Sequence, residues 1–598
     1  MKAETGVRRL ESTVALLLVA TGLVLYSFNL NGPLFWDDYD LVLHNQAVQQ
    51  PAEHLGQLLF RDMLAGSGQV SNYYRPVQML SYALNWQLGG PQPWGYHLLS
   101  NLLHIGSAVL LFQLLLRILG TVPLPAVNQG AAARIITVTV AAASALFWLI
   151  HPVQAEAVAY VAGRGDPLSV LFTLASLCLW LAADERGRVP GAGSAMAYRS
   201  LAMLCAVLAL GSRETAVLLP IYLTAIYMTS EVEKGGWASL ASGLRRAWPL
   251  YLLSAAYVLL RLTALNFDDT LNFHHAPNPY SENVSVRVWT FLAALTEYVR
   301  IALLPWGLHF EHTVPWALSP WRADVLFGAA IVILSLLGVV MAWRRGYRVI
   351  FLAAVLFFVP FAPSSGILAP INNVFSEHWL YLNLAGLGLG LSIGVAGCVH
   401  GNRSLRRMVL VLSGVYLGYL GLYAVERNRI VTEPERLYLQ VLEYEPGNVR
   451  VLNNLAGVHA RRGDLDAAEK YWKAAADADP TQSWPLSNLA DLARNRGDHA
   501  QAERLYLEAI RVRPERQRSY RNLAGMLLEL ERWDHAREVL EVLINMAPGE
   551  AVLYHALARA WQGLGRNDTA LATLDAGEAF VRSAEARAAF DQLRAELQ

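Results

Sequence analysis

Residues 31–45, NGPLFWDDYDLVLHN, mark the point where the first long apolar segment stops and two adjacent carboxylates, Asp37 and Asp38, open a polar loop. An acidic pair at a membrane exit is costly unless it meets water, a cation or a substrate. Two readings fit the pair taken alone: solvated acids of an interfacial loop, or acids held ready for chemistry.

The surrounding composition makes the exit a membrane exit. Hydrophobic residues are 54% and charged residues 16% of the 598, too apolar for a soluble multidomain chain and long enough for a membrane body plus a separate domain. The 48 basic and 48 acidic side chains cancel, but charges are sparse until about Glu426 and dense after it. No basic surface suggests a nucleic-acid partner. Cys178, Cys205 and Cys398 all fall in apolar runs, where a thiol serves as a small buried packing group, so no disulfide or zinc framework is expected. The start, MKAETGVRRL, leads into an apolar run to about Leu30. That run is long enough to span a bilayer and has no convincing cleavage site, so a retained first helix is expected.

Working outward, apolar stretches lie near residues 11–30, 97–119, 134–150, 167–183, 200–211, 214–229, 248–265, 324–343, 349–362, 379–399 and 406–424. Together they predict about 11 spans. Val288–Leu304 carries Arg287, Glu297 and Arg300 on or beside an apolar helix, which suits an interfacial or re-entrant helix. Basic residues fall in alternate loops: Lys2, Arg8 and Arg9; Arg117 and Arg134; Arg186, Arg188 and Arg199; Lys234, Arg245 and Arg246; Arg344, Arg345 and Arg348; Arg403, Arg406 and Arg407. These loops are expected to be cytoplasmic, which puts 31–96, 151–166, 266–323, 363–378 and the C-terminal region outside. Within the first external loop, YYRPVQMLSYALNW predicts an amphipathic helix opened by Arg75 and Pro76.

Beyond Glu433 the pattern becomes a soluble helical repeat. Pro446, Pro480, Pro514 and Pro548 are 34 residues apart, the tetratricopeptide period. Asn454, Asn488 and Asn522 keep the register, as do Leu455, Leu489, Leu523 and Leu557, and Ala468, Ala502, Ala536 and Ala570. Gly463, Gly497 and Gly565 mark the turn between paired helices. The chain is therefore expected to be all-α: residues 1–425 a membrane helix bundle, 426–445 a connecting helix, and 446–598 a tetratricopeptide α-solenoid of about four repeats. The repeated asparagines suit either a peptide backbone on the concave face or bonds between neighbouring repeats.

The unusual polar groups converge on the external side: Asp37 and Asp38 in WDDYD, Arg75 in YYRP, His151, Glu156, Arg164 and Asp166 in HPVQAEAVAYVAGRGDPLS, Arg213 and Glu214 in SRET, and Glu377 and His378 in SEHWLYLN. A carboxylate can take a proton from an attacking hydroxyl, and arginine forks can hold a departing phosphate. The plainer reading pairs Arg164 with Asp166 and Arg213 with Glu214 as salt bridges. His97, Asn101 and His104 share one helix face, but no carboxylate or cysteine completes a metal set. Interhelical hydrogen bonding is expected of them instead. His274 and His275 suit a solvated loop, while His309, Glu311 and His312 could line a groove.

The ordered set of an acidic pair after the first helix, YYRPVQ, GYHLLSNLLH, HPVQAEAVAYVAGRGDPLS, SRET, LAPINNVFSEHWLYLN and then tetratricopeptide repeats resembles the transmembrane and tetratricopeptide-repeat-containing O-mannosyltransferases of the GT-C superfamily. The resemblance implies a GT-C-type bundle and an inverting transfer of mannose or a similar hexose from a polyprenyl-phosphate donor to a protein Ser/Thr hydroxyl. It implies Asp37 as the catalytic acid with Asp38 beside it. Arg75, Arg164 and Arg213 are then the candidate ligands of the donor phosphate, with His151, Glu156, Asp166, Glu214, Glu377 and His378 in support. No metal or cofactor is called for. Three positions depart from the family pattern: Arg213, where lysine is usual; His378, where arginine is usual; and Gln154, where a second histidine is usual. The Ala-, Leu- and Arg-rich composition leans toward a bacterial inner membrane with the repeats periplasmic; in a eukaryote the equivalent is the ER membrane with luminal repeats. The alternatives are a non-catalytic membrane scaffold, or an enzyme of the superfamily acting on a glycan or lipid.

Overall fold

The computed structural model describes residues 2–67, 71–123, 131–187, 195–231, 233, 235–267, 277–399, 403–581 and 584–598. Arg188, Lys234, His274 and His275 lie outside the described residues. Among the described residues every regular element is helical, and the chain divides into two compact units, Met1–Leu437 and Tyr438–Gln598.

The first unit is built on α1 (Lys2–Tyr26), α2 (Pro76–Gly89), α3 (Pro93–Leu119), α4 (Ala131–Ile150), α5 (Gly165–Gly187), α6 (Ala195–Leu210), α7 (Leu219–Ser230), α8 (Gly236–Leu262), α9 (Val284–Leu303), α10 (Ala323–Arg344), α11 (Val349–Phe358), α12 (Asn383–Val399) and α13 (Arg403–Ile430). Six stretches among the described residues are long and apolar enough to cross a membrane: Gly6–Asn29, Pro93–Leu119, Ala133–Ile150, Val161–Gly187, Ala323–Arg344 and Arg403–Ile430. Ala195–Leu210, Val349–Phe361 and Asn383–Val399 are apolar but shorter. The 11-span expectation therefore needs the short helices to be completed by the turns that adjoin them. The charged stretch that begins at Glu426 continues α13 to Ile430, and a separate helix, Pro434–Tyr444, follows.

Many polar side chains on the apolar helices find partners within the protein, side chain or backbone, as hydrocarbon surroundings favour. The α3 residues expected to make interhelical bonds do so. His97 Nε2 lies 2.9 Å from the Gly32 carbonyl, and Asn101 donates to the Tyr26 carbonyl at 2.8 Å. His104 reaches the Tyr26 hydroxyl at 3.0 Å and the Tyr381 hydroxyl at 2.7 Å. Asn29 donates to both Asn101 and Asn428, so α1, α3 and α13 are tied at one level. Trp148, fully buried on α4, donates to the Tyr381 carbonyl at 2.6 Å. These bonds fix the outer ends of the helices from which the polar loops emerge.

The helix expected over Val288–Leu304 is α9. Its Arg287 is buried and donates to the carbonyls of Tyr280, Ser281 and Ile367, so loop backbone rather than water satisfies the charge. Gly328 brings α10 against α9: a Cβ there would stand 2.0 Å from the Leu292 carbonyl oxygen, so a small residue is required at the crossing. Cys178 and Cys205 are buried as expected, whereas Cys398 is exposed.

In the second unit, four helix pairs follow the 34-residue register: Val449–Arg461 with Leu465–Ala478, Trp484–Asn495 with His499–Val512, Gln517–Glu529 with Trp533–Met546, and Ala551–Gly563 with Asn567–Glu578. A last helix, Ala584–Leu597, closes the array. Ala468, Ala502, Ala536 and Ala570 are each fully buried, where a larger side chain would force the paired helices apart. The asparagines work between repeats: Asn488 donates to Asn453 at 2.6 Å and Asn522 to Asp491 at 2.8 Å.

Each first helix ends in a left-handed residue whose successor donates back to a carbonyl five residues earlier, as Asp464 does to His459, Asp498 to Ala493, Arg532 to Leu527 and Arg566 to Trp561. Such ends favour glycine, which has no Cβ to clash. Gly463, Gly497 and Gly565 meet the need with φ of 82, 82 and 71°, but the third repeat places Glu531 there with φ 56°. Glu531→Gly should stabilise the repeat unit by about 1 kcal/mol or less, the left-handed penalty set against the larger unfolded-state entropy of glycine. Denaturant unfolding of the full chain, followed in the repeats, would read this gain; a loss would mean that the Glu531 side chain contributes more than its backbone strain removes.

Candidate active site

The loop after α1 is shaped by a turn in which the Asp38 N–H donates to the Phe35 carbonyl at 3.1 Å. Trp36 holds a φ of 58°, unfavourable for a residue with a large side chain and sustained only by its surroundings. The sustaining group is Asp38. Its Oδ2 accepts the Phe35 N–H at 3.1 Å, and its Oδ1 accepts the Ala162 N–H at 2.8 Å. The Asp38 carboxyl is fully buried. Burial pushes it up to about 8, against the two N–H groups that hold it down.

Asp37 is exposed. The Tyr160 hydroxyl accepts the Asp37 N–H at 3.1 Å and also hydrogen-bonds the Asp37 side chain. Burial keeps that hydroxyl firmly protonated, so it donates to the carboxylate and fixes its direction. The Tyr160 ring lies between Phe35, at 5.1 Å, and Phe310, at 6.2 Å. The two acids that are adjacent in sequence thus differ: one staples the loop to residue 162, and the other presents a carboxylate to the outside.

Residues 151–166 form the spine of the site. His151 is buried, with Nε2 3.1 Å from the Ala302 carbonyl, and burial drives it down to about 3. It is a neutral structural group. Arg164 is fully buried and donates to Ser100 at 3.2 Å, Ser81 at 3.1 Å and the Tyr96 carbonyl at 2.9 Å. Its guanidinium lies over the Tyr82 and Tyr96 rings. Protein groups enclose it on all these sides, so Arg164 braces the loop against α2 and α3 and does not offer phosphate an open fork.

The expected ion pairs are exchanged. Arg213 pairs with Asp166, not with Glu214, and Glu214 pairs with Arg75. Arg75 sits just before Pro76 opens α2, and its Nε and Nη2 reach Glu214 at 3.2 and 3.0 Å. Burial alone would raise the Glu214 carboxyl, but Arg75 outweighs it and holds the group below the usual carboxylate range. The exchange follows from the backbone: Val77 donates to the Gly211 carbonyl at 2.9 Å, which seats the 213–214 turn against the start of α2. Gly165 permits the other contact, since a Cβ there would stand 2.6 Å from the Gln78 Oε1.

Asp166, Arg213 and His378 line one cleft together with Ser169, Thr173, Tyr222 and Leu382. Its lining mixes charged, hydroxyl and apolar side chains. His378 Nδ1 lies 2.6 Å from Glu156 Oε1, and the His378 N–H donates to Glu156 Oε2 at 2.9 Å. The neighbouring Glu377 turns the other way and is fully buried. It accepts the His309 N–H at 2.7 Å, His312 Nε2 at 3.0 Å and Arg427 Nη2 at 2.7 Å.

Sequence reasoning did not single out Tyr160 or Arg427. Tyr160 stood inside a quoted motif among apolar residues, and its value lies in reaching Asp37 across 123 positions. Arg427 is 1% exposed at the end of α13, where a sequence shows only one more charge at a membrane exit. His309 and His312 stack on each other at 3.8 Å and serve Glu377. No group of three or more histidine, cysteine or acidic residues suited to a metal occurs among the described residues.

Tetratricopeptide repeat family models match residues 448–515 and 487–551, and the C-terminal region is a tetratricopeptide repeat array. The chain is 24% identical over 489 residues to human protein O-mannosyl-transferase TMTC4, covering 76% of this chain and 65% of that protein. It is 24% identical over 550 residues to Xenopus laevis protein O-mannosyl-transferase tmtc2, covering 77% and 62%. With Caenorhabditis elegans protein O-mannosyl-transferase F38B6.6 the identity is 23% over 484 residues, covering 78% and 62%. The curated relatives are thus protein O-mannosyl-transferases by name, and the chain spans somewhat less than two thirds of their length.

The division between the two acids is testable by stability. Asp38→Asn would turn an amide N–H toward one of the two backbone donors and leave that donor unsatisfied, a loss of about 1–3 kcal/mol. Asp37→Asn, on an exposed side chain, should change stability by less than about 0.5 kcal/mol. Thermal unfolding of both variants in detergent would show the difference, and equal losses would contradict the assignment of the staple to Asp38 alone.

Proposed function

We propose that the chain is a membrane glycosyltransferase of the GT-C type that moves a sugar, mannose or a similar hexose, from a polyprenyl phosphate to a protein Ser/Thr hydroxyl on the external side. The observation that carries the reading is the exposed Asp37 carboxylate, aimed by Tyr160, on the same 151–166 scaffold as a cleft lined by Asp166, Arg213 and His378. The names of the curated relatives support the same class.

In this reading Asp37 takes the proton of the acceptor hydroxyl as its oxygen attacks the anomeric carbon. The bond from that carbon to the phosphate oxygen breaks on the opposite face, its electron pair stays with the phosphate, and the configuration inverts. Arg213, which lines the cleft, and Arg75, paired with the adjacent Glu214, balance the charge that grows on the departing phosphate. Asp166 and Glu214 keep the two forks oriented while the site is empty. Asp38 and Arg164 act through the loop: the first by setting the turn, the second by bracing residue 164 against α2 and α3. The repeats engage the protein acceptor. Membrane lipid surrounds the helices, and the alternating basic loops orient the chain with the repeats outside, in the periplasm if the membrane is a bacterial inner membrane.

Incubation of the purified full chain with radiolabelled polyprenyl-phosphate sugars and membrane extract tests the class. Label in protein supports the reading, label in glycan or lipid moves the acceptor, and no transfer from any donor points to a scaffold. With an active donor in hand, Asp37→Asn should lower turnover by about two to four orders of magnitude, because an amide cannot take the proton. Near-normal activity would remove the base from this position.

The orientation has its own test. A cysteine at Asp498→Cys, at the N-terminus of an exposed repeat helix, should react with an impermeant thiol reagent added outside intact cells or spheroplasts. Labelling only after lysis would put the repeats inside and withdraw the proposal that they deliver the acceptor.

A further inference from the structure

Glu156 and His378 have no task in the proton transfer at Asp37, yet His378 faces the cleft assigned to the donor phosphate. Glu156 holds it at two points, the ring Nδ1 and the backbone N–H. That grip turns the opposite ring nitrogen, Nε2, away from Glu156, and among the described residues no protein group hydrogen-bonds it. The His378 side chain keeps 24% of its surface exposed, so beside Arg213 and Asp166 it lines the cleft with one ring edge clamped and the other open.

We infer that Glu156 and His378 act as one protonatable ligand for the leaving phosphate. With two protons the pair has one on Nε2 and one shared between Nδ1 and Oε1. Its net charge is then zero whichever atom holds the shared proton, and Nε2–H is available to a phosphate oxygen. With one proton, the shared one, Nε2 presents a lone pair and the pair is negative. An anionic phosphate is accepted by the first state and repelled by the second, so donor binding draws a proton into the pair. When the sugar–oxygen bond breaks, the phosphate charge rises from one to two negative, and the Nε2–H hydrogen bond strengthens with it.

The surroundings favour a proton on Glu156 over one on the His378 ring. Burial, reinforced by Glu377, holds the Glu156 carboxyl above the usual carboxylate range, against the His378 N–H, Arg427 and His312. Burial and then Arg213 lower the His378 ring's own hold on a proton, with Arg75 acting the same way and Asp166 and Glu377 opposing it. In the empty site the shared proton therefore rests on Glu156 and is donated to Nδ1, which leaves Nε2 carrying hydrogen. Such a pair titrates as a unit. An arginine at 378 would be a permanent cation, so the histidine makes donor affinity depend on pH.

This inference rests on the donor reading above, and a binding measurement separates the two. Undecaprenyl phosphate is titrated calorimetrically into the full chain in detergent from about pH 6.5 to about pH 9.5, using the unaltered protein, His378→Arg and Glu156→Gln. The ligand's own second ionisation is common to all three, so the ratio of unaltered to His378→Arg affinity isolates the pair. That ratio should be flat at the lower end and fall about tenfold per pH unit above the pair's titration. Proton uptake, read from two buffers of different ionisation enthalpy, should be larger for the unaltered protein than for His378→Arg. If His378→Arg does not fold, His378→Gln, a permanent neutral donor, serves as the reference. Glu156→Gln should flatten the profile as well; a full slope in that variant would overturn the shared-proton pair. A flat ratio with intact binding would overturn the inference and leave the donor reading standing, whereas no binding at any pH would overturn both.

Discussion

The Asp38 carboxyl, which accepts the N–H groups of both Phe35 and Ala162, is the constraint on which the outer face depends. It joins the loop after the first helix to the 151–166 segment, alongside the Asp37–Tyr160 contact. Once that staple is made, Trp36 is forced into left-handed backbone and Asp37 is turned outward to Tyr160. A buried acid receiving two backbone donors is strong because neither donor has water as an alternative. The strain at Trp36 and the exposure of Asp37 are two consequences of one buried contact.

The charged groups behind the staple follow the same economy. Each buried ionic group among those expected at the site has a protein partner: Arg164 in serines and a carbonyl, Arg213 in Asp166, Arg75 in Glu214, Glu377 in Arg427 and two histidines. Buried pairs of this kind add little net stability, because desolvation offsets attraction, but losing one partner is severe. Their effect is to hold forks and carboxylates in fixed directions around a cleft. The Glu156–His378 pair is the exception in character, since it is held by hydrogen bonds whose proton can be counted differently as pH changes.

Much of this was legible before any tertiary contact was known. The apolar runs, the helix opened by Pro76, the interhelical bonding of His97, Asn101 and His104, and the 34-residue repeat were all read from spacing alone. The three turn glycines were legible, whereas Glu531, which closes the same turn in the third repeat, emerged from its backbone angle. Periodicity is a local property: a helix face is fixed by residues three and four apart, and a repeat by its nearest neighbours.

What the sequence by itself determined, then, is the all-helical fold, the place of the acidic loop and the residue types gathered near it. It could not determine who pairs with whom. Arg213 stands next to Glu214 and a single residue separates Arg164 from Asp166, yet the pairs formed are Arg213 with Asp166 and Arg75 with Glu214, because the seating of residue 77 on residue 211 brings distant side chains closer than chain neighbours. Nor could it tell Asp37 from Asp38, or a solvent-facing arginine from the enclosed Arg427. Those distinctions belong to the tertiary structure, since burial and hydrogen-bond direction depend on packing between segments 47 to 139 residues apart, where no spacing rule reaches.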